Sequence, residues 1–537
     1  MSDELKAAAL EYHESPKPGK ISVVPTKGLT NQRDLALAYS PGVAYACKAI
    51  EEDPTLAARY TSRANLVGVV TNGSAVLGLG NIGPLAGKPV MEGKACLFKK
   101  FAGIDVFDIE LAETDPDKLV DIIAALEPTL GGINLEDIKA PECFYIEKKL
   151  KEKLTIPVFH DDQHGTAIIV GAAIINGLKV VGKNLRDVRL VCSGAGAAAI
   201  ACLNLLLTLG IKKENIIVCD SKGVISTSRA GTLNENKAVY ASDTEFVSID
   251  QAMKNADIFL GLSGPGTIKK QWISEMADKP LVLALANPIP EIMPEEIKSV
   301  RPDAVIATGR SDYPNQVNNV LCFPFIFRGA LDVGATKITE EMKLACVYAI
   351  AELAQAERSD VVASAYEGQE LSFGPEYIIP TPFDPRLITL IAPAVAQAAM
   401  NSGVATLPIE NMSAYREKIS NLVYQTGFVM KPVFEAAKAD LKRVIYAEGE
   451  DERVLQAVQA VSDEKLCLPI LIGRPEVIDL RIERAGLRIK IGEHFDVVNP
   501  ENDGRFKETW TEYYQIMRRK GVSPDDAKTA VRTSTTL

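Results

Sequence analysis

The sequence predicts an α/β protein whose middle part is a doubly wound parallel sheet. Short unbroken apolar segments alternate with helical stretches from about residue 163 to 400, which is typical of a parallel sheet covered on both faces. A glycine-rich turn follows one such segment and opens a helix. A shorter strand and helix pattern recurs beyond residue 430, so a second, smaller α/β unit is expected there.

Residues 1–160 are expected to form an N-terminal domain of short apolar segments and turns. The segment NLVGVV at 65–70 has the composition of a strand, whereas 75–89 (AVLGLGNIGPLAGKP) is rich in glycine. Dense glycine favours tight turns and close approach of the backbone, so long regular helices are not expected in this domain.

Residues 161–412 are expected to form the doubly wound domain. The small apolar residues of 165–181 predict a buried helix, and 339–357 predicts a closing helix. Between them, five β-branched segments predict strands, and one apolar segment predicts a further helix. The strands are expected at 187–192, 215–220, 256–261, 281–286 and 304–309, and the further helix at 200–210.

Residues 413–537 are expected to hold a linker helix and a partial α/β domain. The linker helix is predicted at 413–432, followed by strand, turn and helix at 443–461 and by a strand leading into a helix at 469–479. The chain ends soon after this pattern begins, which predicts a truncated domain.

The charge balance argues against a general nucleic-acid binder. The chain carries 59 Lys and Arg against 70 Asp and Glu, a formal net charge of −11, whereas nucleic-acid surfaces need an excess of basic side chains. The first residues lack the apolar core of a signal peptide, and the longest apolar runs fall short of the ~20 residues of a membrane helix. The nine cysteines include no Cys-x-x-Cys pair, which suits a reducing compartment. We expect a cytoplasmic protein with neither a membrane nor a nucleic-acid partner.

The glycine-rich turn predicts a dinucleotide site of the Rossmann type. Gly194, Gly196 and Ala199 form Gly-x-Gly-x-x-Ala between a predicted strand and a predicted helix. In that context the first glycine permits the sharp turn, the second lets a pyrophosphate approach the backbone, and the alanine allows close helix packing. The expected cofactor-binding residues of this turn are Gly194, Ala195, Gly196, Ala197, Ala198 and Ala199.

The residues after the next predicted strand leave the choice between NAD and NADP open. Asp220 ends that strand, where an acidic side chain accepts a hydrogen bond from a ribose 2′-hydroxyl and favours NAD. Lys222 and Arg229 follow closely and could neutralise a 2′-phosphate, or they could be solvated loop charges.

Acidic side chains follow two predicted strands of the N-terminal part. Glu136 and Asp137 lie in INLEDIKAPE, and Asp161 and Asp162 follow IPVF. Carboxylates at strand ends are hard oxygen ligands for Mg²⁺ or Mn²⁺, although such residues also cap helices or face water.

Two histidines beside these acids, His160 and His164, do not predict zinc. The chain has four histidines, and no cysteine or third histidine lies near this pair. Ordinary hydrogen bonding is the expected role of both rings.

Lys94 and Tyr39 are further candidates. Lys94 lies among apolar residues in PVMEGKACLF, where a lysine either reaches the surface or stands in a pocket that favours a general base. Tyr39 precedes a Ser-Pro-Gly turn and could equally be a packing residue.

Several segments together resemble the bacterial NADP-dependent malic enzyme family. AYSPGVA (38–44), KPVMEGKACLFKKFAGID (88–105), GGINLEDIKAPECF (131–144) and PVFHDDQHGTA (157–167) carry the resemblance, with SGAGAAAIA, ALANPIPEI and 308–335 continuing it. The resemblance covers about 1–430. The segment beyond is similar to the start of the phosphate acetyltransferase domain fused to this family, but 107 residues are too few for a complete one, so acetyl transfer is not expected.

The resemblance implies an oxidative decarboxylation of malate to pyruvate and CO₂ with hydride transfer to NADP⁺, NAD⁺ being possible, and with Mg²⁺ or Mn²⁺. It implies roles for the matched residues, two of them for Asn287. Tyr39 would be the general acid, Lys94 the general base with Asp161 against it, and Glu136, Asp137 and Asp162 the metal ligands; Asn287 and Asn319 would hold the substrate carboxylates, and Asn287 with Asp220 and Lys222 would lie near the cofactor.

The pattern of the family is not complete. Ala75 stands where larger relatives of the family place an arginine that grips a malate carboxylate, and no substitute is evident in the sequence. The resemblance also suggests a homo-oligomer. Two alternatives stay open: an NAD(P)-dependent dehydrogenase of another hydroxy acid that releases no CO₂, and an inactive chain whose C-terminal segment serves assembly or effector binding.

Overall fold

The structure, a computed structural model, confirms the α/β class. It describes residues 3–533 apart from 16, 357–371, 424–432, 434–435, 464, 486 and 501. The chain divides into two compact units, residues 1–423 and 424–537. The first unit contains two parallel sheets and the second contains one.

The first sheet has four parallel strands in the order β2-β1-β3-β4. Its strands are β1 (Leu66–Thr71), β2 (Asp105–Glu110), β3 (Gly132–Leu135) and β4 (Val158–His160). Leu135 pairs with His160 in the register of β3 and β4. The residues that follow these two strands therefore emerge side by side at one edge of the sheet.

The second sheet has six strands in the order β10-β9-β8-β5-β6-β7, all parallel except β7. The strands are β5 (Leu190–Ser193), β6 (Ile216–Asp220), β7 (Gly223–Val224), β8 (Ile258–Gly261), β9 (Leu281–Ala284) and β10 (Val305–Thr308). Residues of β5, β8, β9 and the first four positions of β6 are buried, as unbroken apolar strands covered on both faces require. The strands lie where the apolar segments predict them, with ends shifted by a few residues.

Helices cover both sheets of the first unit. They are α1 (Asp3–Glu14), α2 (Gln32–Ala38), α3 (Val43–Glu52), α4 (Ala57–Tyr60), α5 (Pro84–Ala102), α6 (Pro116–Ala124), α7 (Glu142–Lys153), α8 (Asp161–Val181), α9 (Ala197–Leu209), α10 (Glu235–Ala238), α11 (Ile249–Met253), α12 (Lys270–Ser274), α13 (Pro294–Val300), α14 (Phe323–Asp332), α15 (Glu340–Gln355), α16 (Arg386–Asn401) and α17 (Met412–Val423).

Helix α8 is the central helix of the unit. It packs against α9 and α15 and belongs to a core cluster that also includes β1 and β5 side chains. By length and composition it could cross a membrane, but about two thirds of its most apolar window is buried inside the protein, as in the core helix of a folded domain. Its first residues, Asp161 and Asp162, lie at the end of β4.

The expectation that the glycine-rich part of residues 1–160 forms no long helix is wrong. Helix α5 runs for 19 residues through Gly87, Pro89 and Gly93. Its buried face includes Met91 and Phe98, both fully enclosed. Burial of this face outweighs the low helix propensity of glycine and proline.

The second unit is a three-stranded parallel sheet with helices. Its strands are β11 (Arg443–Tyr446), β12 (Leu468–Ile472) and β13 (Asp496–Val498), and its helices are α18 (Glu452–Asp463), α19 (Pro475–Arg484), α20 (Phe506–Met517) and α21 (Pro524–Thr533). A small core forms around Leu455, Leu471 and Ile478. The predicted strands and helices at 443–461 and 469–479 are confirmed, whereas 424–432 of the predicted linker helix lie outside the described residues.

Candidate active site

Three carboxylates meet at the edge of the first sheet. Glu136 and Asp137 directly follow β3, and Asp162 follows β4 by two residues. One oxygen of each lies within 4.8 Å of the others. Since β3 and β4 are adjacent and parallel, their carboxyl ends place these side chains in one small volume.

This spacing fits a single divalent cation. Mg²⁺ and Ca²⁺ bind oxygens at about 2.0–2.6 Å, so oxygens on opposite sides of one such ion lie about 4–5 Å apart. Carboxylates are also the ligand class that Mg²⁺ and Mn²⁺ prefer. By donor type and by distance, Glu136, Asp137 and Asp162 could therefore hold Mg²⁺ or Mn²⁺.

Hydrogen bonds fix two of these carboxylates. The side-chain amide of Asn134 donates to Glu136 Oε2 at 2.8 Å, and the backbone N–H of Asp137 donates to Asp162 Oδ2 at 2.8 Å. Asp137 has a φ of 55°, an uncommon left-handed conformation that the N–H of Ala75 supports by donating to the Asp137 carbonyl at 3.0 Å. The acid-bearing turn is thus held in one conformation.

Lys94 points into this group of acids from helix α5. Its Nζ lies 2.6 Å from Asp161 Oδ2 and 2.9 Å from Glu136 Oε1. The ammonium also lies 4.1 Å from the centre of the Phe323 ring, a cation–π contact. The side chain is 10% exposed, so of the two alternatives open for Lys94 the structure selects the pocket.

The charges around Lys94 hold it protonated. Burial by itself lowers the pKa of this ammonium, but the charges of Asp161 and Glu136 outweigh burial and raise the pKa above its ordinary range. Lys94 could therefore act as a base only after the negative charge of these neighbouring carboxylates is offset.

Burial and neighbouring negative charges disfavour the ionised forms of Glu136 and Asp162. Burial raises the pKa of Glu136 to about 8 despite the opposing charge of Lys94, and the charges of Asp162 and Asp161 add to the rise. Burial, followed by the charges of Asp137 and Asp161, raises the pKa of Asp162 to about 7. This excess of negative charge is what a bound cation would offset.

Asp161 is held between Lys94 and Asn319. The Asn319 amide donates to Asp161 Oδ2 at 3.2 Å, and Thr166 donates to Asn319 Oδ1 at 3.2 Å. A Cβ at Gly165 would stand 2.1 Å from Asp161 Oδ1, so glycine there leaves room for the carboxylate. Asn319 therefore lies beside Asp161 and Lys94, and its predicted role in holding a substrate carboxylate stays a prediction.

The two histidines lie beside the carboxylates but outside the group that could hold a cation. His164 Nε2 lies 2.8 and 3.0 Å from the two oxygens of Glu147, and the His160 N–H donates to Glu147 Oε1 at 3.3 Å. Burial lowers the pKa of the His160 ring to about 4. Hydrogen bonding is the role seen for His164.

Tyr39 stands apart from the Lys94 group. It is the C-cap of α2, and its side chain is 71% exposed and makes no hydrogen bond with any residue that the structure describes. The apolar side chains around it, Leu35, Leu37 and Val43, are exposed as well. The structure records no contact between Tyr39 and the acids.

A cavity of about 820 Å³ lies over the glycine-rich turn. Gly194, Ala195 and Gly196 line it together with Asp220. Gly194 has a φ of 112°, and a Cβ there would stand 2.2 Å from the Leu262 carbonyl oxygen, so only glycine fits. Ala197 to Ala199 form the first turn of α9, with Ala199 buried in the core, and none of the three lines the cavity. At another part of its wall are Ala140 and Pro141, which closely follow Asp137.

Asp220 is neutralised inside this cavity. Arg229 Nη2 donates to both Asp220 oxygens, at 2.9 and 2.8 Å, and the Lys222 N–H donates to Asp220 Oδ1 at 2.9 Å. Burial by itself raises the pKa of Asp220, but these hydrogen bonds lower it. The Lys222 side chain is exposed and lies outside the cavity lining, whereas Lys237 of α10 lines the cavity and has no ion pair within the described part of the chain.

Asn287, the other residue predicted to hold a substrate carboxylate, lies beyond the end of β9. A Cβ on Gly309 would meet its side-chain amide at 2.7 Å, and a Cβ on Gly78 would meet its carbonyl at 2.6 Å. Asn287 is exposed and lies between these two turns. No hydrogen bond connects it with Asn319 among the described residues.

Sequence reasoning missed three residues that shape the site. Asn134 lies on β3 two positions before Glu136, Phe323 is distant in the chain, and Lys237 lies 17 residues after Asp220. The alternation of β3 could have suggested Asn134, since residues two apart share a face. Phe323 and Lys237 give no local signal.

Comparisons with known families divide the chain in three. The family described as malic enzyme, N-terminal domain, matches residues 18–151, and the family described as malic enzyme, NAD binding domain, matches 163–365. The family described as phosphate acetyl/butaryl transferase matches 428–537.

Named relatives match nearly the whole chain. A protein named NADP-dependent malic enzyme from Salmonella typhimurium is 65% identical over 532 residues, covering 99% of this chain and 70% of that protein. A protein of the same name from Escherichia coli is 64% identical, covering 100% of this chain and 71% of that protein. A protein named NAD-dependent malic enzyme from Rhizobium meliloti is 60% identical, covering 100% and 70%.

Solved structures resemble four fifths of the chain. The crystal structure of malic enzyme from Pyrococcus horikoshii is 44% identical with a TM-score of 0.72, covering 80% of this chain and 98% of that one. That of Entamoeba histolytica malic enzyme is 35% identical with a TM-score of 0.71, covering 80% and 89%.

Proposed function

This chain belongs to the malic enzyme family, and from that premise we propose that it oxidatively decarboxylates malate to pyruvate and CO₂ with NADP⁺ and a divalent cation. The resemblance drawn from the sequence motifs is confirmed at the level of the family. The observation that carries the proposal is the placement of Lys94 against three carboxylates that could hold one cation. The cavity over the Gly194–Gly196 turn, called the dinucleotide cavity below, includes Ala140 and Pro141 of the segment that follows two of these acids.

Lys94 is proposed to take the proton of the substrate's C2 hydroxyl as hydride leaves C2. Its Nζ is enclosed by Asp161, Glu136 and the Phe323 ring, so it is excluded from bulk water and oriented by two carboxylates. Asn319 keeps Asp161 in place and presents an amide beside it. A positioned base of this kind typically accelerates a reaction by about 10²–10⁴-fold.

Glu136, Asp137 and Asp162 are proposed to hold Mg²⁺ or Mn²⁺. When bound, the cation would act as a Lewis acid on the substrate oxygens and offset the negative charge that keeps Lys94 protonated. The raised pKa values of Glu136 and Asp162 support this assignment because they reflect buried negative charge that is not compensated in full.

Tyr39 is proposed as the acid that protonates the carbon left after CO₂ departs. This role comes from the family resemblance of its segment, since its exposed phenol stands apart from Lys94 and the acids in this structure. We also propose that the chain forms a homo-oligomer, since the exposed apolar residues Leu35, Leu37 and Val43 around Tyr39 suit a surface covered by another subunit.

NADP⁺ is the proposed oxidant, although the Rhizobium meliloti relative carries the name of an NAD-dependent enzyme. The backbone N–H groups of Gly194 to Gly196 and of the N-terminus of α9 would donate hydrogen bonds to the pyrophosphate oxygens. Arg229 neutralises the charge of Asp220, and the ammonium of Lys237 lines the same cavity. A cavity with a neutralised aspartate and a lysine suits the negative charge of a 2′-phosphate better than a cavity with an unpaired aspartate.

Malate-dependent formation of NADPH, measured together with released CO₂, tests the proposal. With Mn²⁺ present, we expect one CO₂ and one pyruvate for each NADPH. NADPH without CO₂ would indicate a dehydrogenase of another kind, and no NADPH from folded, Mn²⁺-supplied protein would refute the proposed activity.

A further inference from the structure

His160 is a buried imidazole to which the proposed reaction gives no role. It is the last residue of β4 and pairs in register with Leu135 of β3, so it lies at the sheet edge from which Glu136 emerges. We propose that His160 positions Asp162 for the cation by donating a hydrogen bond from its Nδ1 to Asp162 Oδ2. This inference rests on the proposed metal site and adds to it a residue that does not itself bind the cation.

The ring of His160 is enclosed without an ordinary partner. His160 is 0% exposed, and neither ring nitrogen makes a hydrogen bond of ordinary geometry with the residues that the structure describes, although the Ile138 carbonyl interacts with the ring. His160 is the N-cap of α8, but its side chain makes no capping hydrogen bond. Buried polar groups without partners are uncommon because they lose their hydration and gain nothing in return. Packing alone therefore does not explain an imidazole at this position.

Asp162 can supply the missing acceptor. His160 Nδ1 lies 3.8 Å from Asp162 Oδ2, so a shift of about 1 Å would bring the two atoms to hydrogen-bond distance. The Asp162 side chain is 36% exposed, whereas that of His160 is fully enclosed, so the carboxylate rather than the ring is expected to make the shift. A charged carboxylate accepts a stronger hydrogen bond than a neutral carbonyl does. This difference favours Asp162 over Ile138 as the acceptor.

The hydrogen bond from His160 would act on an oxygen of Asp162 that is already held. The backbone N–H of Asp137 donates to Asp162 Oδ2 at 2.8 Å. With both donors on Oδ2, the other oxygen of Asp162 remains for a cation. Asn134 holds one oxygen of Glu136 in the same way, at 2.8 Å. Partners of this kind orient metal-binding side chains in proteins, so His160 and Asn134 would have matching roles on two different acids.

The ring is suited to this role in its neutral form. Burial lowers the pKa of His160 to about 4, so the ring carries one N–H and adds no positive charge that would repel a cation. The acceptor that a neutral imidazole faces decides which nitrogen holds the proton, and Asp162 faces Nδ1. The backbone N–H of His160 donates to Glu147 Oε1 at 3.3 Å, and Glu147 pairs with His164 and Lys151. These contacts anchor His160 at the end of β4.

Titration of Mn²⁺ into the whole 537-residue chain, freed of metal beforehand, tests the role of His160. Electron paramagnetic resonance of free Mn²⁺ gives the affinity. His160→Leu should weaken binding by about 10–100-fold, the cost of losing an outer partner of a metal ligand. His160→Asn should recover most of the affinity, because the amide of asparagine places an N–H close to the position of Nδ1.

His164→Leu is the matched control. His164 is also a largely enclosed imidazole of α8, with a side chain that is 15% exposed, and among the described residues it pairs with Glu147 rather than with a proposed metal ligand. His164→Leu should therefore bind Mn²⁺ as the wild type does. If His160→Leu proves unfolded by its thermal transition, nitrogen NMR of the Mg²⁺-loaded, ¹⁵N-histidine-labelled wild type decides. The chain has four histidines, and the expected His160 signal is that of a ring with its proton on Nδ1.

Several results would overturn the role of His160 and leave the metal site in place. They are unchanged Mn²⁺ affinity in folded His160→Leu, a loss that His160→Asn does not recover, equal weakening in His164→Leu, and a proton on Nε2 in the Mg²⁺-loaded protein. Absence of Mn²⁺ binding by the wild type would overturn both the metal site and this inference. Because binding is measured directly, failure of the malate reaction alone would affect neither.

Discussion

The acid cluster, formed by Glu136, Asp137, Asp161 and Asp162, and the dinucleotide cavity differ in how their buried carboxylates are neutralised. Around Lys94, four carboxylates share one ammonium, and the pKa values of Glu136 and Asp162 are raised to about 8 and about 7, mainly by burial. In the dinucleotide cavity, Asp220 has its own arginine, and hydrogen bonds lower its pKa against the effect of burial. Buried negative charge without a full set of partners favours binding of a cation, whereas the paired Asp220 no longer repels a negatively charged cofactor.

The largest expected effect is on turnover at the acid cluster. Lys94→Met should lower kcat by about 10²–10⁴-fold because it removes the proposed base. The same change should leave binding of NADP⁺ unaltered, since the dinucleotide cavity does not include Lys94. Malate-dependent NADPH formation and an NADP⁺ titration by intrinsic fluorescence measure the two quantities.

Lys99→Met is the matched control, because Lys99 lies on the same helix with an exposed side chain and pairs with the exposed Asp105. Comparable turnover of Lys94→Met and the wild type would remove Lys94 from the mechanism.

A somewhat smaller effect is expected on metal affinity. Asp162→Asn should weaken Mn²⁺ binding by about 100-fold or more, because changes to outer-shell partners alone cost about 10–100-fold. Asn134→Leu, which removes only the hydrogen bond to Glu136, should fall within that lower range. Electron paramagnetic resonance of free Mn²⁺ measures both.

The control for this series is Asp121→Asn, which changes an exposed side chain on α6. Equal Mn²⁺ affinity in Asp162→Asn and the control would mean that the acid cluster does not bind the cation.

At the dinucleotide cavity, Lys237→Met should lower kcat/KM for NADP⁺ by about tenfold or more and leave that for NAD⁺ nearly unchanged. The reason is the loss of one charge-assisted contact to a 2′-phosphate. Steady-state kinetics with both cofactors measure the ratio, and Lys213→Met, an exposed lysine before β6, is the control. An equal fall for both cofactors would assign Lys237 a role in folding rather than in recognition.

The smallest expected effect concerns pH. The folded protein without metal holds protons on Glu136 and Asp162 that the unfolded chain releases at lower pH, so its free energy of unfolding should fall as pH rises from about 5 to 8. Glu136→Gln should flatten this dependence, measured as the thermal midpoint in EDTA. Glu152→Gln on the exposed face of α7 should keep the wild-type slope; equal slopes in both variants would show that Glu136 does not titrate in this range.

The sequence was most informative where local pattern and tertiary structure agree. The strands of the second sheet are apolar throughout because both faces are buried, so their positions are readable to within a few residues. Helix α5 was not predicted, because its stability comes from burying Met91 and Phe98 rather than from local propensity. Helix propensity describes single residues in isolation, so it cannot predict that packing.

The site could be predicted in its residue types but not in its electrostatics. Strand ends suggested Glu136, Asp137 and Asp162, and their meeting follows from the pairing of β3 with β4. The raised pKa of Lys94 depends on distances to Asp161 and Glu136, which no spacing in the chain encodes. Likewise, the pairing of Arg229 with Asp220 depends on the fold of the loop after β6 and could not be predicted from the sequence. The roles of these residues, the division of the chain at 160 and 412, and the cytoplasmic location stay predictions.

The most direct test of the central claim is the position of Mn²⁺ in crystals of this chain, located by anomalous diffraction. The account predicts one strong peak bounded by oxygens of Glu136, Asp137 and Asp162, next to the Lys94 ammonium. A peak elsewhere, or an acid cluster without Mn²⁺ at a concentration that supports turnover, would contradict it.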